Sequence, residues 1–312
     1  SIIYAANREF DVLNCSWGQK KVFQDIEKSI IDLAIAHDVA IVAASGNDGD
    51  THVQYPAGYP GVLGVGEVNS SDNITGSSTM GEHVDILAPG SGNTYTENND
   101  GYQSYGFDGT SAATPIASGL VAMIRAKYPE LDALQSIAFA KLCDDDIIDK
   151  NSKWGSIAPG RVNLLKAMET NPFSVPGIGP LSYEYRNTDG IVVDRFDSGD
   201  TVTLNIIARN YLGAAQNMQF ELVKAFGNTN ALTLVDTMVQ ISEVERESDF
   251  RIEEYKFVLD QRTYGKILLR VDIYNNIGEK IDFFLVPFTP GKEFTTFENE
   301  RIKFSVGDRA TF

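Results

Sequence analysis

The chain has 312 residues, 43% hydrophobic and 22% charged, enough for about two packed domains. Its 43 acidic residues against 26 basic ones leave a formal net charge of −17, which argues against nucleic acid as a partner, since phosphate binding needs a basic surface. The 2 cysteines, Cys15 and Cys143, are too few for the disulfide framework of a small secreted domain, and no apolar run approaches the ~18 residues of a membrane span.

In chain order, Ser1 opens directly into Ile2-Ile3-Tyr4-Ala5-Ala6, a run that reads as a helix already under way. Residue 1 is therefore expected to be an internal point of a longer protein, with no signal peptide at its start. Asp11–Ser16 is apolar and of strand length, and Cys15 within it is expected to be a buried free thiol. Val22–His37 predicts a helix, with Val22, Ile26, Ile30 and Leu33 on its apolar face. Val39–Ser45, Val62–Val68 and Val84–Ala88 predict three more strands. Thr110–Tyr128 predicts a long helix stopped by Pro129, and Ala133–Leu142 and Val162–Met168 two more. Short strands alternating with helices predict an α/β domain over residues 1–170, a parallel sheet with flanking helices.

Asn171, Pro172, Pro176, Gly177, Gly179 and Pro180 crowd residues 171–180, which reads as a linker. From 181 to 290 the pattern is strands only: Thr201–Arg209, Met218–Phe226, Leu232–Ile241, Tyr255–Leu259, Lys266–Tyr274 and Ile281–Phe288. That spacing predicts an all-β, immunoglobulin-like sandwich. Ser198–Asn205 followed by Asn210–Gly213 resembles the adhesion-type modules appended to many bacterial surface enzymes. The tail, residues 291–312, includes a strand-like run at Arg301–Val306 and could open a further β module.

Two segments carry chemistry. Gly109-Thr-Ser-Ala-Ala-Thr-Pro115 puts a hydroxyl, Ser111, in the first turn of the long helix, where free N–H groups and the helix dipole favour developing negative charge. A serine still needs a base to act as a nucleophile, and Thr110 or Ser111 could equally be a plain helix cap. Ala43-Ala-Ser-Gly-Asn-Asp-Gly49 follows a buried strand, and Asn47 there offers an uncharged N–H donor suited to an oxyanion. Gly46, Asn47 and Gly49 are equally the composition of a simple turn.

With Asp11–Ser16, Tyr55-Pro-Ala-Gly-Tyr-Pro60, Asp85-Ile-Leu-Ala-Pro-Gly90 and Gly160-Arg-Val-Asn163, these segments form an ordered series. The series resembles the second half of the subtilisin family over nearly all of residues 1–170. The resemblance implies a subtilisin-like serine endopeptidase fold, incomplete because the N-terminal part of that domain has no counterpart here. It implies Ser111 as nucleophile and Asn47 as oxyanion donor. Ser16, Trp17 and Gly18 would pair with the substrate as an added strand, Ala44, Ser45 and Gly46 would line the specificity pocket, and Gln54 would sit at its base. Ile116 and Ser118 depart from the family pattern, at positions with no role in proton transfer.

The family's aspartate and histidine lie upstream, in Asp-Thr/Ser-Gly and His-Gly-Thr contexts. None of the 3 histidines, His37, His52 and His83, stands in such a context. Ile191-Val-Val-Asp-Arg-Phe-Asp-Ser-Gly199 mimics the aspartate motif, but follows the serine and reads as a strand turn. The expected partners are thus a protein or peptide substrate and the missing N-terminal part, and the expected location is secreted or cell-surface. No cofactor is certain. Calcium is possible, since the family often binds it and Asp144-Asp145-Asp146 with Asp149 could hold a cation, although an acid run after a helix is more simply a solvated face. A non-catalytic subtilase homologue, or an adhesive or scaffold module, is the competing reading.

Overall fold

The computed structural model describes residues 1–20, 24–98 and 101–291. Val22, and residues 292–312 with the Arg301–Val306 run, lie outside the described residues. The chain forms two compact units, the first comprising residues 1–179, 210–214 and 245–247, the second residues 180–209, 215–244 and 248 onward.

The first unit runs α1 (Ile2–Asn7), β1 (Val12–Cys15), α2 (Asp25–Ala36), β2 (Ala40–Ala44), β3 (Val62–Val68) and β4 (Ile86–Pro89). An antiparallel hairpin of β5 (Gly92–Asn98) and β6 (Gly101–Phe107) follows, then α3 (Thr110–Lys127), α4 (Ala133–Leu142), β7 (Asp144–Asp145), β8 (Arg161–Val162) and α5 (Leu164–Glu169). Six strands form one sheet in the order β1-β2-β3-β4-β8-β7, parallel except at β7. β1 is the outermost strand on its side among the described residues.

Every residue of β2 is buried, because the sheet is covered on both faces. Ala40 and Val42 pack toward Ala113, Ala117, Val121 and Phe139 of α3 and α4. Ile41 and Ala43 point the other way, toward Ala6, Ile31 and Ala34 of α1 and α2. The layers leave no room to spare: a Cβ on Gly64 of β3 would lie 1.8 Å from the His83 carbonyl oxygen. A capping box opens α4, with Asp132 accepting from the Gln135 N–H and Gln135 accepting from the Asp132 N–H.

Two helix expectations shift. On α2 the buried residues are Ile31 and Ala34, while Ile26 is 77% and Leu33 40% exposed. Apolar residues surround more than one face of α2, and the side with the small Ala34 packs closest to the sheet. Val162 belongs to β8, and α5 starts only after Asn163, whose side chain caps it by accepting from the Lys166 N–H at 2.9 Å.

The second unit holds β9 (Ile178–Arg186), β10 (Thr201–Asn210), β11 (Ala215–Phe226), β12 (Leu232–Asp236), β13 (Met238–Val244), β14 (Ser248–Leu259), β15 (Ile267–Tyr274) and β16 (Lys280–Phe288). They form two four-stranded sheets, β12-β14-β10-β9 and β13-β11-β15-β16. The pairs β11–β13, β11–β15, β15–β16 and β12–β14 are antiparallel. The single strand expected over Leu232–Ile241 is two strands in different sheets, parted by Thr237. β9 was not expected as a strand, because Gly179 and Pro180 at its start read as linker.

Strict alternation on β10 buries Val202, Leu204, Ile206 and Ala208. The sheets meet where Phe257 of β14 stands edge-on to Phe288 of β16, ring centroids 5.0 Å apart. Tyr255 of β14 donates its hydroxyl to the Phe220 carbonyl of β11 at 2.9 Å, and burial pushes its phenol far above the usual range. Both cysteines are free and buried. Burial pushes each thiol up to about 12, so neither is a thiolate at neutral pH.

Tyr255→Phe deletes one inter-sheet hydrogen bond without opening a cavity and should cost about 0.5–1.5 kcal/mol. Phe257→Ala removes a ring from the same core and should cost ~3–5 kcal/mol. Denaturant titration of the two variants checks the order; equal losses would show that Phe257 is not a core residue.

Candidate active site

Parallel strands send their C-terminal ends to one edge of the sheet, and that edge brings the sequence-derived residues together. β1 hands over to Ser16-Trp17-Gly18, β2 to Ser45-Gly46-Asn47, and α3 begins at Thr110 beside both. Gly109, at φ +116°, caps α3 without any side-chain cap bond. Only glycine takes that φ freely, and a Cβ there would sit 3.1 Å from Asn47 Nδ2.

Asn47 is held from one side. Its Oδ1 accepts from both the backbone N–H and the Oγ1 hydroxyl of Thr110, each at 2.9 Å, and Thr110 Oγ1 in turn accepts from the Gly46 N–H at 3.2 Å. The whole amide lies against Gly109, with Nδ2 3.1 Å and Oδ1 3.3 Å from where a Gly109 Cβ would be, and with Oδ1 twice engaged Nδ2 is its donor end. Thr110 therefore orients Asn47, and Asn47 is more than a turn residue.

Ser111 does not cap the helix. Its Oγ donates to the Ser16 carbonyl at 3.0 Å. Its own carbonyl has lost the usual helical donor, because Pro115, four residues on, has no N–H. Ser16 Oγ fills that gap, donating to the Ser111 carbonyl at 2.8 Å. Asn14 backs the arrangement, its Nδ2 donating to Ser16 Oγ and its Oδ1 accepting from Ser118 Oγ, both at 3.0 Å. Ser118 is thus part of the support of the site, although its position alone offered no sign of a role. Asn14 and Thr110 lie within the quoted motifs, but sequence reasoning assigned them no function.

Gln54 lies between the two segments that would wall the pocket. Its Oε1 is 3.2 Å from where a Gly18 Cβ would be, and a Cβ on Gly46, at φ +112°, would run into its amide at 2.2 Å. The side chain is buried and donates Nε2 to Asp48. Lys20 bridges Asp48 at 3.3 Å and Asp50 at 2.7 Å. Burial alone would raise the Asp50 carboxyl, but Lys20 and His52 outweigh it and hold Asp50 down to about 2. Ala44 is buried behind the pocket. Ser45 turns inward, its Oγ donating to the Thr79 carbonyl at 2.8 Å. Trp17 is 45% exposed, beside the Gln19–Tyr55 backbone bridge.

A further residue, Glu67 of β3, reaches the turn that opens α3 at Gly109. It is fully buried, its Oε1 accepting from the Gly109 N–H at 3.1 Å and its Oε2 from Thr75 Oγ1 at 2.6 Å. Burial first, and the adjoining Asp108 carboxyl second, push its acid range upward. A lone carboxylate inside the apolar run Val62–Val68 was the available signal.

The histidines are engaged elsewhere. His37 follows α2, His52 pairs with Asp50 at 2.9 Å, and the buried His83 sets Nε2 3.2 Å from the Ser45 carbonyl. The acid run spends its carboxylates within the chain. Asp144 accepts from the Gly160 N–H, Asp145 pairs with Arg161 and Asn163, and Asp146 accepts from the Ile148 N–H. Among the described residues no three acid, histidine or cysteine side chains converge as a metal site.

Residues 1–141 match the model of the subtilase family. Subtilisin NAT of Bacillus subtilis subsp. natto is 36% identical over 132 residues, 41% of this chain and 34% of its own length. Alkaline elastase YaB of Bacillus sp. (strain YaB) is 36% identical over 42% of this chain and 34% of its length. Subtilisin DY of Bacillus licheniformis is 36% identical over 43% of this chain and 49% of its length. The chain thus spans between a third and a half of these curated relatives. Among solved structures, the prenylagaramide maturation protease PagA aligns at 27% identity and a TM-score of 0.47, over 54% of this chain and 64% of that one. The likeness to the subtilase family is confined to this first part of the chain, residues 1–141.

Ser16→Ala should remove the donor that replaces the Pro115 N–H and leave the Ser111 carbonyl short of a partner, at a cost of ~1–3 kcal/mol. Ser16→Thr should restore most of it. Thermal unfolding of the pair is the check, and an unchanged midpoint for Ser16→Ala would mean that Ser16 does not secure the turn.

Proposed function

We propose that the chain carries the nucleophile half of a serine endopeptidase. Ser111 Oγ attacks the scissile carbonyl, and Asn47 Nδ2 with the Ser111 N–H receives the resulting oxyanion. The observation that carries this reading is the double engagement of Asn47 Oδ1 by Thr110, which fixes the amide against Gly109, the residue two before Ser111.

The base is a histidine other than the three in this chain, held by an aspartate on a strand that pairs with the free edge of β1. Ser111 Oγ then exchanges its hydrogen bond to Ser16 for one to that base, which takes the proton as the Oγ–carbon bond forms and later gives it to the leaving amine. Substrate backbone adds as a strand along Ser16-Trp17-Gly18, and its side chain enters between that strand and Ala44–Gly46. Gln54 forms a shallow, polar floor there, which favours small residues over aromatic ones at P1. The second unit is read as an immunoglobulin-like adhesion module, which fits an extracellular, surface-associated enzyme. No helix among the described residues is long and apolar enough to cross a membrane.

Fluorophosphonate should label Ser111 when the chain is combined with the segment that supplies histidine and aspartate, and not in the isolated 312 residues. Labelling of the isolated chain would overturn the borrowed base. Asn47→Leu should lower kcat by about 10²–10³, a magnitude known from subtilisin itself. Gln54→Gly should open the pocket, so peptide-library profiling should move the P1 preference toward Phe and Leu. A wild-type preference for Phe or Tyr would remove Gln54 from the pocket floor.

A further inference from the structure

The buried Glu67 meets the exposed Asp108 beside the Gly109 turn, and neither belongs to the chemistry assigned above. Glu67 is fully buried, and β4 makes room for it: a Cβ on Gly90 would lie 2.4 Å from Glu67 Cγ and 2.8 Å from the Gly109 carbonyl. Its two oxygens take the Gly109 N–H at 3.1 Å and the Thr75 hydroxyl at 2.6 Å. Ser78 Oγ accepts from the Glu67 N–H at 3.0 Å. Thr75, Ser78, Gly90 and Gly109 bring no charge to it. The charged group that does face it is Asp108, with which it shares a side-chain hydrogen bond. Two carboxyl groups can share a hydrogen bond only if one is protonated.

We propose that Glu67 is a positioning residue for Ser111, and that it holds the Gly109 turn in register only while the Glu67–Asp108 pair carries one proton. The route of action is short. Gly109 precedes Thr110, whose N–H and Oγ1 orient Asn47, and Ser111 follows at once. When the shared proton leaves, two carboxylates face each other beside a buried backbone bond, and their repulsion is relieved by moving the 108–109 peptide. Folding favours the acid form of Glu67 more than a solvent-exposed glutamate does, since burial first and Asp108 second raise its range against the lowering by Thr75 and Gly109. Its contribution is therefore complete below the ordinary glutamate value of about 4.3 and is lost as pH climbs through the raised one.

Since the effect on catalysis rests on Ser111 being the nucleophile, the test needs a readout that does not depend on activity. Amide hydrogen exchange of the 108–112 segment, in the full chain with its complementing segment, should show protection falling as pH rises through the raised range, after correction for intrinsic exchange, and staying level in the variants that lack the pair. Asp108→Asn should flatten the profile, because its amide can donate to ionised Glu67. Glu67→Gln should flatten it too, keeping an acceptor for Gly109, while Glu67→Ala should lose protection at every pH. The fluorophosphonate labelling rate should follow the same profiles. A wild-type exchange profile identical to that of Asp108→Asn, or full protection in Glu67→Ala, would overturn the proposal. Exchange profiles as expected, with no labelling in any variant, would uphold the positioning role and refute the nucleophile reading instead.

Discussion

A strand covered on both faces has no place for a polar side chain except at its ends, and this constraint organises the whole first unit. β2 has apolar residues along its full length, feeding two cores at once, so its first free polar groups come at Ser45, Gly46 and Asn47. β1, the outermost strand, carries the exposed Asn14 but runs in parallel register with β2 and so ends at Ser16 on the same side. The two ends open side by side because parallel strands start and stop in the same direction, and α3 needs only to begin at that edge. Glu67 is the exception inside β3, and its carboxyl is accommodated because it is hydrogen-bonded on both oxygens and lies at the same edge.

The support of the site consists of small corrections to backbone problems. Pro115 removes a helical donor, and Ser16 supplies another from a different strand. Gly109 accepts a left-handed φ, and its N–H is met by Glu67. An asparagine amide could be turned either way, and Thr110 settles which by donating twice to the oxygen. Groups fixed in this way need no reorganisation when charge develops beside them, which is why oriented donors act more strongly than mobile ones.

Much of the first unit was legible because its signals are local. The apolar lengths of Asp11–Ser16, Val39–Ser45 and Val62–Val68, and the helix ended at Pro129, follow from side chain and backbone chemistry within each segment. The serine and asparagine motifs were legible as a series, and the edge of the sheet then brings them together. What was not legible depends on distant partners. The buried side of α2 is chosen by how closely Ala34 can approach the sheet, which the helix's own period does not state. Gln54 and Asp48 meet only because a loop returns, and Ser118 finds Asn14 across 104 positions of sequence. β9 was hidden by the proline and glycine at its start, and the joint at Thr237 by an uninterrupted β-like composition.

That joint governs how the second unit can vary over evolution. Leu232 and Leu234 turn inward from β12 on even positions, while β13 half-buries Val239 and Ile241 before fully burying Val244. The change of sheet happens around Thr237, whose carbonyl accepts from the Leu222 N–H at 2.7 Å. One residue added or lost there would turn Val239 and Ile241 to the outside of the sheet. The turn at Asn275–Gly278 imposes no such phase, since its exposed residues only close a hairpin between β15 and β16. Among relatives of this second unit, length should therefore vary freely at the hairpin tip and be invariant at the crossing, like a reading frame that tolerates insertions only between its words.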